Sequence, residues 1–425
     1  MEIMKSLSSY GGGPLIVRVG GGSTDYQMTV PPKYVWESLN KLHAATGAKF
    51  ILGLNLEGGD PELSKKQMQA AEENMTAGSI LTFEIGNEPN FYTNKNGKSG
   101  NDYIGCCFVN DWNTHAIYMS CPDHKNPNDP ACRRNQFAGP AWGHVNMYPS
   151  TLDWFLKSAG QKWLNLTTVH WYKATRETYN TASTLLDEEP IKKEMANLRE
   201  LVKISNKWGK PLRVAEMNTI SNSGRDGVSN VFAAALWTLD GCFEVAATGA
   251  VGVNLHQGAG QNLYTAIVRW YQDEGLGPVI LRPAFYAIML FKQAVRARSR
   301  MLPAAVASGP GEGLKVWPLW DEAEKELRIV VINKRANEAI DAVLRIAKPG
   351  GYGAASVARL VAAGDAPLQA KGGVSIGGIT YGLGGKLQGT PAIETVARSA
   401  SDGKLAWKIY MSPGSAALVT IKRLW

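Results

Sequence analysis

Short apolar runs alternate with amphipathic stretches through the first two-thirds of this chain, and that alternation limits the fold more than any other feature. The runs are Leu15–Val19, Lys49–Leu56, Ile80–Ile85, Leu164–Trp171, Leu212–Glu216 and Gly249–His256. They are near-continuously apolar, as strands covered on both faces are. Between and after them lie stretches of helical character: Lys33–Ala45 (with Tyr34, Leu39 and Leu42 on one face), Glu62–Met75, Leu152–Lys162, Ile191–Trp208, Val231–Ala246 and Ala284–Val295. Repeated strand–helix units of this size predict a parallel α/β fold.

A seventh strand fits Phe137–Trp142, so seven strands, each followed by a helix, come one short of a (β/α)₈ TIM-type barrel. The absent strand would precede Leu15; the expectation is that the first strand is missing or truncated. After about Met301 the pattern changes to β-segments separated by glycine-rich turns such as Gly350-Gly351 and Gly382-Leu383-Gly384-Gly385. The segments are Gly313–Pro318, Glu326–Asn333, Ala342–Ile346, Ser356–Val361, Ala406–Met411 and Ala416–Lys422. This predicts an antiparallel β-sandwich. The organisation expected is a catalytic barrel over 1–300, with a Cys-bearing insert near 90–148, and a sandwich domain over 301–425.

Several classes of function fit poorly. The formal charge is +8, but it is spread along the chain without a basic stripe or a known motif, so nucleic acid is not an expected partner. A basic surface also favours acidic ligands such as uronic-acid sugars, although solubility is the better reading for most of these charges. No stretch is long and apolar enough to span a membrane, and the N-terminus shows no signal-peptide core. Four of the five cysteines, Cys106, Cys107, Cys121 and Cys132, fall in the insert, away from Cys242. Their spacing does not match a zinc motif even with His115 and His124 nearby; one or two disulfides, and hence an oxidising, extracellular setting, are expected instead. The sequons at Asn74 and Asn165 are compatible with secretion, although Asn165 opens a strand, a poor place for a glycan. Gly20-Gly21-Gly22 lacks the spacing and the lysine of a phosphate loop. No metal and no cofactor are expected.

The chemistry-bearing signal is Phe83-Glu84-Ile85-Gly86-Asn87-Glu88-Pro89-Asn90, an apolar strand that ends in Asn-Glu-Pro. Strand C-termini form the active-site face of such a barrel, so Glu88 is placed to meet a substrate. Pro89 ends the strand and restricts the backbone of Glu88, and Asn87 offers a donor and an acceptor beside it. Leu212-Arg213-Val214-Ala215-Glu216 delivers a second carboxylate in the same way. Counting the absent strand, Glu88 closes strand four and Glu216 strand seven. Glu216 alone reads equally as a solvated or ion-paired carboxylate; Glu88, set within Gly-Asn-Glu-Pro, fits that reading less well. Together they suit glycoside hydrolysis, where one carboxyl protonates the leaving oxygen and the other attacks the anomeric carbon.

Four stretches carry a resemblance to glycoside hydrolase family 79, the β-glucuronidase and heparanase family of clan A. They are Val17-Arg18-Val19-Gly20-Gly21-Gly22-Ser23-Thr24-Asp25, Gly86-Asn87-Glu88-Pro89-Asn90, Val169-His170-Trp171-Tyr172, and Ser412-Pro413-Gly414-Ser415-Ala416-Ala417-Leu418. The resemblance implies a retaining mechanism with Glu88 as acid/base and Glu216 as nucleophile. It implies that the Tyr172 hydroxyl bonds the nucleophile, that His170 lines the same pocket and that Asp25 bonds sugar hydroxyls; without it, His170 and Tyr172 read as packed strand residues and Asp25 as a turn carboxylate. For a uronate carboxylate the candidates follow strand eight, in His256-Gln257-Gly258-Ala259-Gly260-Gln261-Asn262-Leu263-Tyr264, with Gln257, the glycine N–H groups including Gly258, and the Tyr264 hydroxyl as donors; a flexible polar loop is the other reading. Two departures bear on glucuronate specificity: Ser221 stands where the family often has a tyrosine, and Gly22 where it often has a polar residue. The leading expectation is an exo-β-glucuronidase acting on a glucuronic-acid-containing glycan or glycoside. An endo-β-glucuronidase of heparanase type and a non-catalytic carbohydrate-binding protein on the same scaffold remain open.

Overall fold

The computed structural model describes residues 2–124, 126–147, 149–178, 181–258, 262–272, 275–306, 311–346, 351–401 and 404–424. Seven strands form one parallel sheet in chain order: β1 (Ile16–Val19), β2 (Lys49–Leu54), β3 (Ile80–Ile85), β4 (Phe137–Trp142), β5 (Leu164–Ala174), β6 (Leu212–Ile220) and β7 (Val253–Leu255). Helices Lys33–Thr46, Pro61–Asn74, Glu189–Lys207, Phe232–Ala247 and Pro283–Ala294 follow the strands and cover the outside. The helix Phe232–Ala247 is buried along almost its whole length, which accounts for its apolar sequence on every side.

The sheet curls into a nearly closed barrel. Where an eighth strand would lie, β7 approaches β1 directly, and the Asn254 side chain spans the gap: its Nδ2 donates to the Ile16 carbonyl at 2.9 Å while its Oδ1 accepts from Arg213 Nε at 2.6 Å. Ahead of β1 the chain forms a short helix, Glu2–Ser8, that buries Ile3 and Leu7.

Two strands run on past their expected ends. β5 continues from Trp171 to Ala174 and β6 from Glu216 to Ile220, so Glu216 sits inside its strand rather than at its terminus. The extensions pair with each other, Tyr172 with Asn218 and Ala174 with Ile220. Between β7 and the helix Pro283–Ala294 lies an antiparallel hairpin, Ile267–Gln272 with Gly275–Leu281, that the sequence pattern did not reveal.

The C-terminal region is an antiparallel sandwich. The larger sheet runs in the order Ser299–Met301, Leu314–Asp321, Glu326–Asn333, Ser415–Arg423, Tyr352–Ala362, Val374–Ile376, Ile379–Tyr381 and Leu387–Gly389, with Ile393–Val396 also paired to Tyr352–Ala362. Strands Ile340–Arg345, Lys404–Met411 and Ser399–Ser401 form the facing sheet. Val331, Trp407, Ile409 and Val419 fill the space between the two. The other face of the larger sheet joins the barrel's own core through Val330, Ile332 and Leu418. Trp317 stacks on Phe243 at 5.7 Å and donates to Asp240 at 2.8 Å. The Gly350 half of the expected Gly350-Gly351 turn lies outside the described residues.

In the insert, Cys106 bonds its neighbour Cys107 and Cys121 bonds Cys132; Cys242 is free and buried. Asn165 is committed within the barrel, its Oδ1 accepting from the Thr82 hydroxyl at 2.8 Å. Among the described residues no helix is long and apolar enough to cross a membrane.

Candidate active site

The barrel interior carries a set of charged side chains on neighbouring strands. Arg18 projects inward from β1, Glu84 from β3, His170 and Tyr172 from β5, and Glu216 from β6. His170 and Tyr172 are two residues apart and so share a strand face, and His170 is in register with Glu216. These inward positions are why otherwise apolar strands tolerate charge: each charge meets its partner across the barrel.

Arg18 is the hub. Its Nε donates to Glu84 Oε2 at 2.5 Å, its Nη1 to Glu216 Oε2 at 2.8 Å and its Nη2 to Asn87 Oδ1 at 2.8 Å. The rigid fork of a guanidinium suits three acceptors in different directions. Burial works against the cation, but Glu84 and Glu216 outweigh it and hold Arg18 protonated. Arg18 was quoted above only as part of a motif, and Glu84 was not singled out.

Glu216 accepts from Tyr172 as well, hydroxyl to Oε1 at 2.7 Å. The Nδ1 of His256, one residue beyond β7, lies 2.7 Å from the Tyr172 hydroxyl, 3.1 Å from Glu216 Oε1 and 3.2 Å from the Tyr264 hydroxyl. Burial pushes the Glu216 carboxyl up, but interaction with His170, the hydrogen bond from His256 and the charge of Arg18 prevail and hold it well below the ordinary carboxylate range. Burial, reinforced by the adjacent Glu216 charge, pushes the Tyr172 hydroxyl far up, so it remains a proton donor.

Glu88 is built differently. Its backbone is left-handed (φ 48°, ψ 50°), not the extended form favoured before a proline. That conformation costs about 1–2 kcal/mol in an L-residue and calls for local compensation. The compensation is visible: Glu88 N–H donates to the Ala141 carbonyl at 2.9 Å and its own carbonyl accepts from Phe91 N–H at 2.8 Å. The carboxyl is thereby turned into the barrel mouth, 25% exposed against 9% for Glu216. Glu88 Oε1 lies 2.8 Å from His170 Nδ1.

One carboxylate oxygen of Glu88, one of Glu216 and a ring nitrogen of His170 all lie within 4.8 Å of one another. Such a group could hold a cation, but Arg18 and Tyr172 already bond Glu216 and His170 already bonds Glu88. The arrangement instead leaves two carboxyls facing each other across a gap the width of a reacting carbon, one firmly ionised and one more open to solvent.

The remaining sequence candidates are placed as follows. Asn87 is buried on Arg18. Tyr264 is buried beside His256 and Tyr172, with ring centroids 5.2 and 6.2 Å away. Asp25 is only 6% exposed and accepts from the Tyr92 hydroxyl at 2.9 Å, so its carboxyl is engaged inside the protein. Gln257 and Gly258 spend their polar atoms on their own loop: Gln257 Oε1 accepts from Ala266 N–H at 2.7 Å, and Gly258 N–H donates to the Thr265 hydroxyl at 3.1 Å. The free glycine N–H expected at Gly258 is therefore already satisfied. Ala259, Gly260 and Gln261 lie outside the described residues. His256 stood in the quoted stretch but was not singled out; a histidine directly after a barrel strand was the available signal.

Several known proteins are similar to this chain. The family model described as glycosyl hydrolase family 79, N-terminal domain, matches residues 26–242. A β-glucuronidase of Aspergillus niger is 24% identical over 309 residues, which is 61% of this chain and 54% of that protein. A β-glucuronidase of Neurospora crassa is 26% identical over 302 residues, 60% of this chain and 52% of that protein. The chain thus spans about half the length of these relatives. In fold it resembles a 4-O-α-L-rhamnosyl-β-D-glucuronidase from Fusarium oxysporum, with a TM-score of 0.76, 17% identity and coverage of 99% of this chain and 91% of that one. It also resembles an α-L-arabinofuranosidase from Thermotoga maritima, with a TM-score of 0.64, 16% identity and coverage of 100% and 90%.

Proposed function

The chain belongs to glycosyl hydrolase family 79, and on that premise we propose that it cleaves β-linked glucuronides with retention of configuration, Glu216 acting as nucleophile and Glu88 as acid/base. The observation that carries this reading is the gap of at most 4.8 Å between the nearest oxygens of the two carboxylates. Retaining enzymes hold their carboxyl groups about 5–5.5 Å apart; inverting ones need roughly 6.5–9.5 Å to admit a water.

In the first step Glu88 gives its proton to the glycosidic oxygen while Glu216 attacks the anomeric carbon. The carbon–oxygen bond breaks, the aglycone leaves as an alcohol and an ester to Glu216 forms. In the second step Glu88, now a carboxylate, takes a proton from water. The resulting oxygen nucleophile attacks the anomeric carbon, and Glu216 departs as a carboxylate. Arg18 and Tyr172 keep Glu216 ionised and aimed before attack and stabilise it as it leaves. His170 orients Glu88.

The glucuronide preference is supported by the names of the two β-glucuronidase relatives and is compatible with the formal charge of +8. His256 and Tyr264, adjacent to the nucleophile, are the groups we assign to the sugar's carboxylate end; Asn87 sits beside the acid/base, and Asp25 supports the floor beneath the glycine turn. The two disulfides support secretion into an oxidising compartment.

A panel of aryl β-glycosides tests the proposal, comparing glucuronide with glucoside, galactoside and xyloside, with the first-formed anomer read by NMR. The glucuronide should be cleaved preferentially, giving the β-anomer first, and Glu88→Gln and Glu216→Gln should each lose at least a thousandfold in activity while keeping the native circular dichroism. Inversion, or full activity in either variant, would overturn the mechanism; preference for a neutral sugar would overturn the substrate.

A further inference from the structure

We propose that Phe91, backed by His144, is the leaving-group platform of this site and selects aglycones that present a flat apolar face, whether an aryl ring or the apolar face of a pyranose. The inference rests on the retaining reading above and deepens it.

Phe91 is a large apolar side chain left 55% exposed, three residues after Glu88. Its position is built rather than incidental. The neighbouring Asn90 is buried, and its Oδ1 accepts from Gly143 N–H at 2.8 Å, fastening the loop after β4 against the turn that carries Phe91. Gly143 is the floor. A Cβ there would lie 2.2 Å from Phe91 Cε2 and 3.1 Å from Glu88 Cδ, so the ring and the acid/base carboxyl sit side by side over one residue that has no side chain to separate them. The next residue, His144, packs its ring on Phe91 with centroids 5.9 Å apart and planes tilted by 54°.

In a retaining hydrolysis the acid/base carboxyl reaches the oxygen between sugar and leaving group, so whatever borders that carboxyl on the side away from the nucleophile borders the leaving group. The Glu216 side carries Arg18, Tyr172 and His256, all polar. The rings on the Glu216 side carry polar atoms already bonded around the carboxylate, whereas the exposed apolar ring, Phe91, is on the Glu88 side. Burial lowers the His144 imidazole, with Glu88 only partly opposing, so the platform is uncharged at neutral pH. An uncharged pair of rings in tilted contact gains from a flat apolar partner and offers no anchor to a sulfate or carboxylate.

The test compares phenyl β-glucuronide, methyl β-glucuronide and a glucuronosyl disaccharide in the wild type, Phe91→Ala and Phe91→Trp. Phe91→Ala should lower kcat/KM for the phenyl and disaccharide substrates by on the order of tenfold more than for the methyl substrate, and Phe91→Trp should restore most of that difference. A loss on the phenyl substrate alone would assign the platform to aryl groups, and a loss on both to any flat ring. Partition of the glycosyl-enzyme between water and benzyl alcohol should shift toward water in Phe91→Ala, a readout independent of leaving-group acidity. Equal losses on all three substrates, or Phe91→Trp behaving as Phe91→Ala, would overturn the platform. If the wild type instead preferred a neutral glycoside, the glucuronide assignment would fail, and the same comparison on that sugar would judge the platform separately. A wild type that cleaved no glycoside would overturn both.

Discussion

Asp25→Asn should stabilise the protein at neutral and alkaline pH, by an amount that grows with pH. Asp25 is nearly inaccessible beneath the glycine turn, where its carboxyl accepts from Tyr92 and its carbonyl from Asn55 Nδ2 at 2.7 Å. Burial pushes it from its ordinary 3.8 up to about 7, with the Tyr92 hydrogen bond opposing and the Glu57 charge adding to the rise. Between those values the folded chain holds a proton that the unfolded chain has released, so stability falls as pH rises through the window and the penalty is complete above about 7. A rise of roughly three units corresponds to about 4 kcal/mol at ~1.4 kcal/mol per unit. Asparagine keeps a carbonyl oxygen for Tyr92 and has no charge to bury. Urea denaturation of both proteins from pH 4 to 8 gives the difference curve, in which Glu194 and Glu244, also raised by burial, cancel. The variant should gain little at pH 4 and on the order of a few kcal/mol at pH 8. A flat difference curve, or a variant that weakens as pH rises, would refute the reasoning.

Two further outcomes follow from the nucleophile's surroundings. Tyr172→Phe removes a hydrogen bond to an ionised acceptor, typically about 1.5–3 kcal/mol, so kcat/KM should drop roughly 10- to 150-fold and the acidic limb of the pH–rate profile should move upward as Glu216 becomes easier to protonate; an unmoved limb would contradict the role given to Tyr172. Arg18→Met strands Glu84 and Glu216 in the barrel and should cost about 3–5 kcal/mol in chemical denaturation, partly recovered by adding Glu84→Gln; an unchanged midpoint would show that the guanidinium is not their counter-charge.

The strands were legible where both faces are covered. Phe137–Trp142 is fully buried, and its apolar run marks it. The same rule hid the ends of β5 and β6, because Tyr172, Lys173, Asn218 and Thr219 are polar residues inside strands, bonded to Glu216, the Asp187 carbonyl, the His256 carbonyl and Ser229, and polarity after an apolar run reads as a loop. In the sandwich, three-residue strands such as Val374–Ile376 and Ile379–Tyr381 are too short to display a period of two. Glu88 and Glu216 could be picked out because each follows an apolar run. Arg18 could be quoted but not assigned, since its partners stand 66, 69 and 198 positions away and only the closed barrel brings them together. Gly258 is a related case: sequence shows that a donor exists, not that Thr265 accepts from it in the folded chain.

Barrel closure and catalysis therefore meet in one place. Arg18 on β1 bonds Glu216 on β6 near the seam where β7 lies directly beside β1. What draws it there includes a polar staple, Arg213 to Asn254 to the Ile16 carbonyl, whose last acceptor is two residues from Arg18. The staple joins β1 to β7, and two residues further along β1 the guanidinium bonds one oxygen of Glu216 while Tyr172 bonds the other. In the proposed mechanism, preorganisation of this kind has value for a carboxylate that is ionised before attack and again on departure, because the donors are already in place when the charge returns. At the seam between β1 and β7 a side chain does what backbone pairing does elsewhere in the barrel.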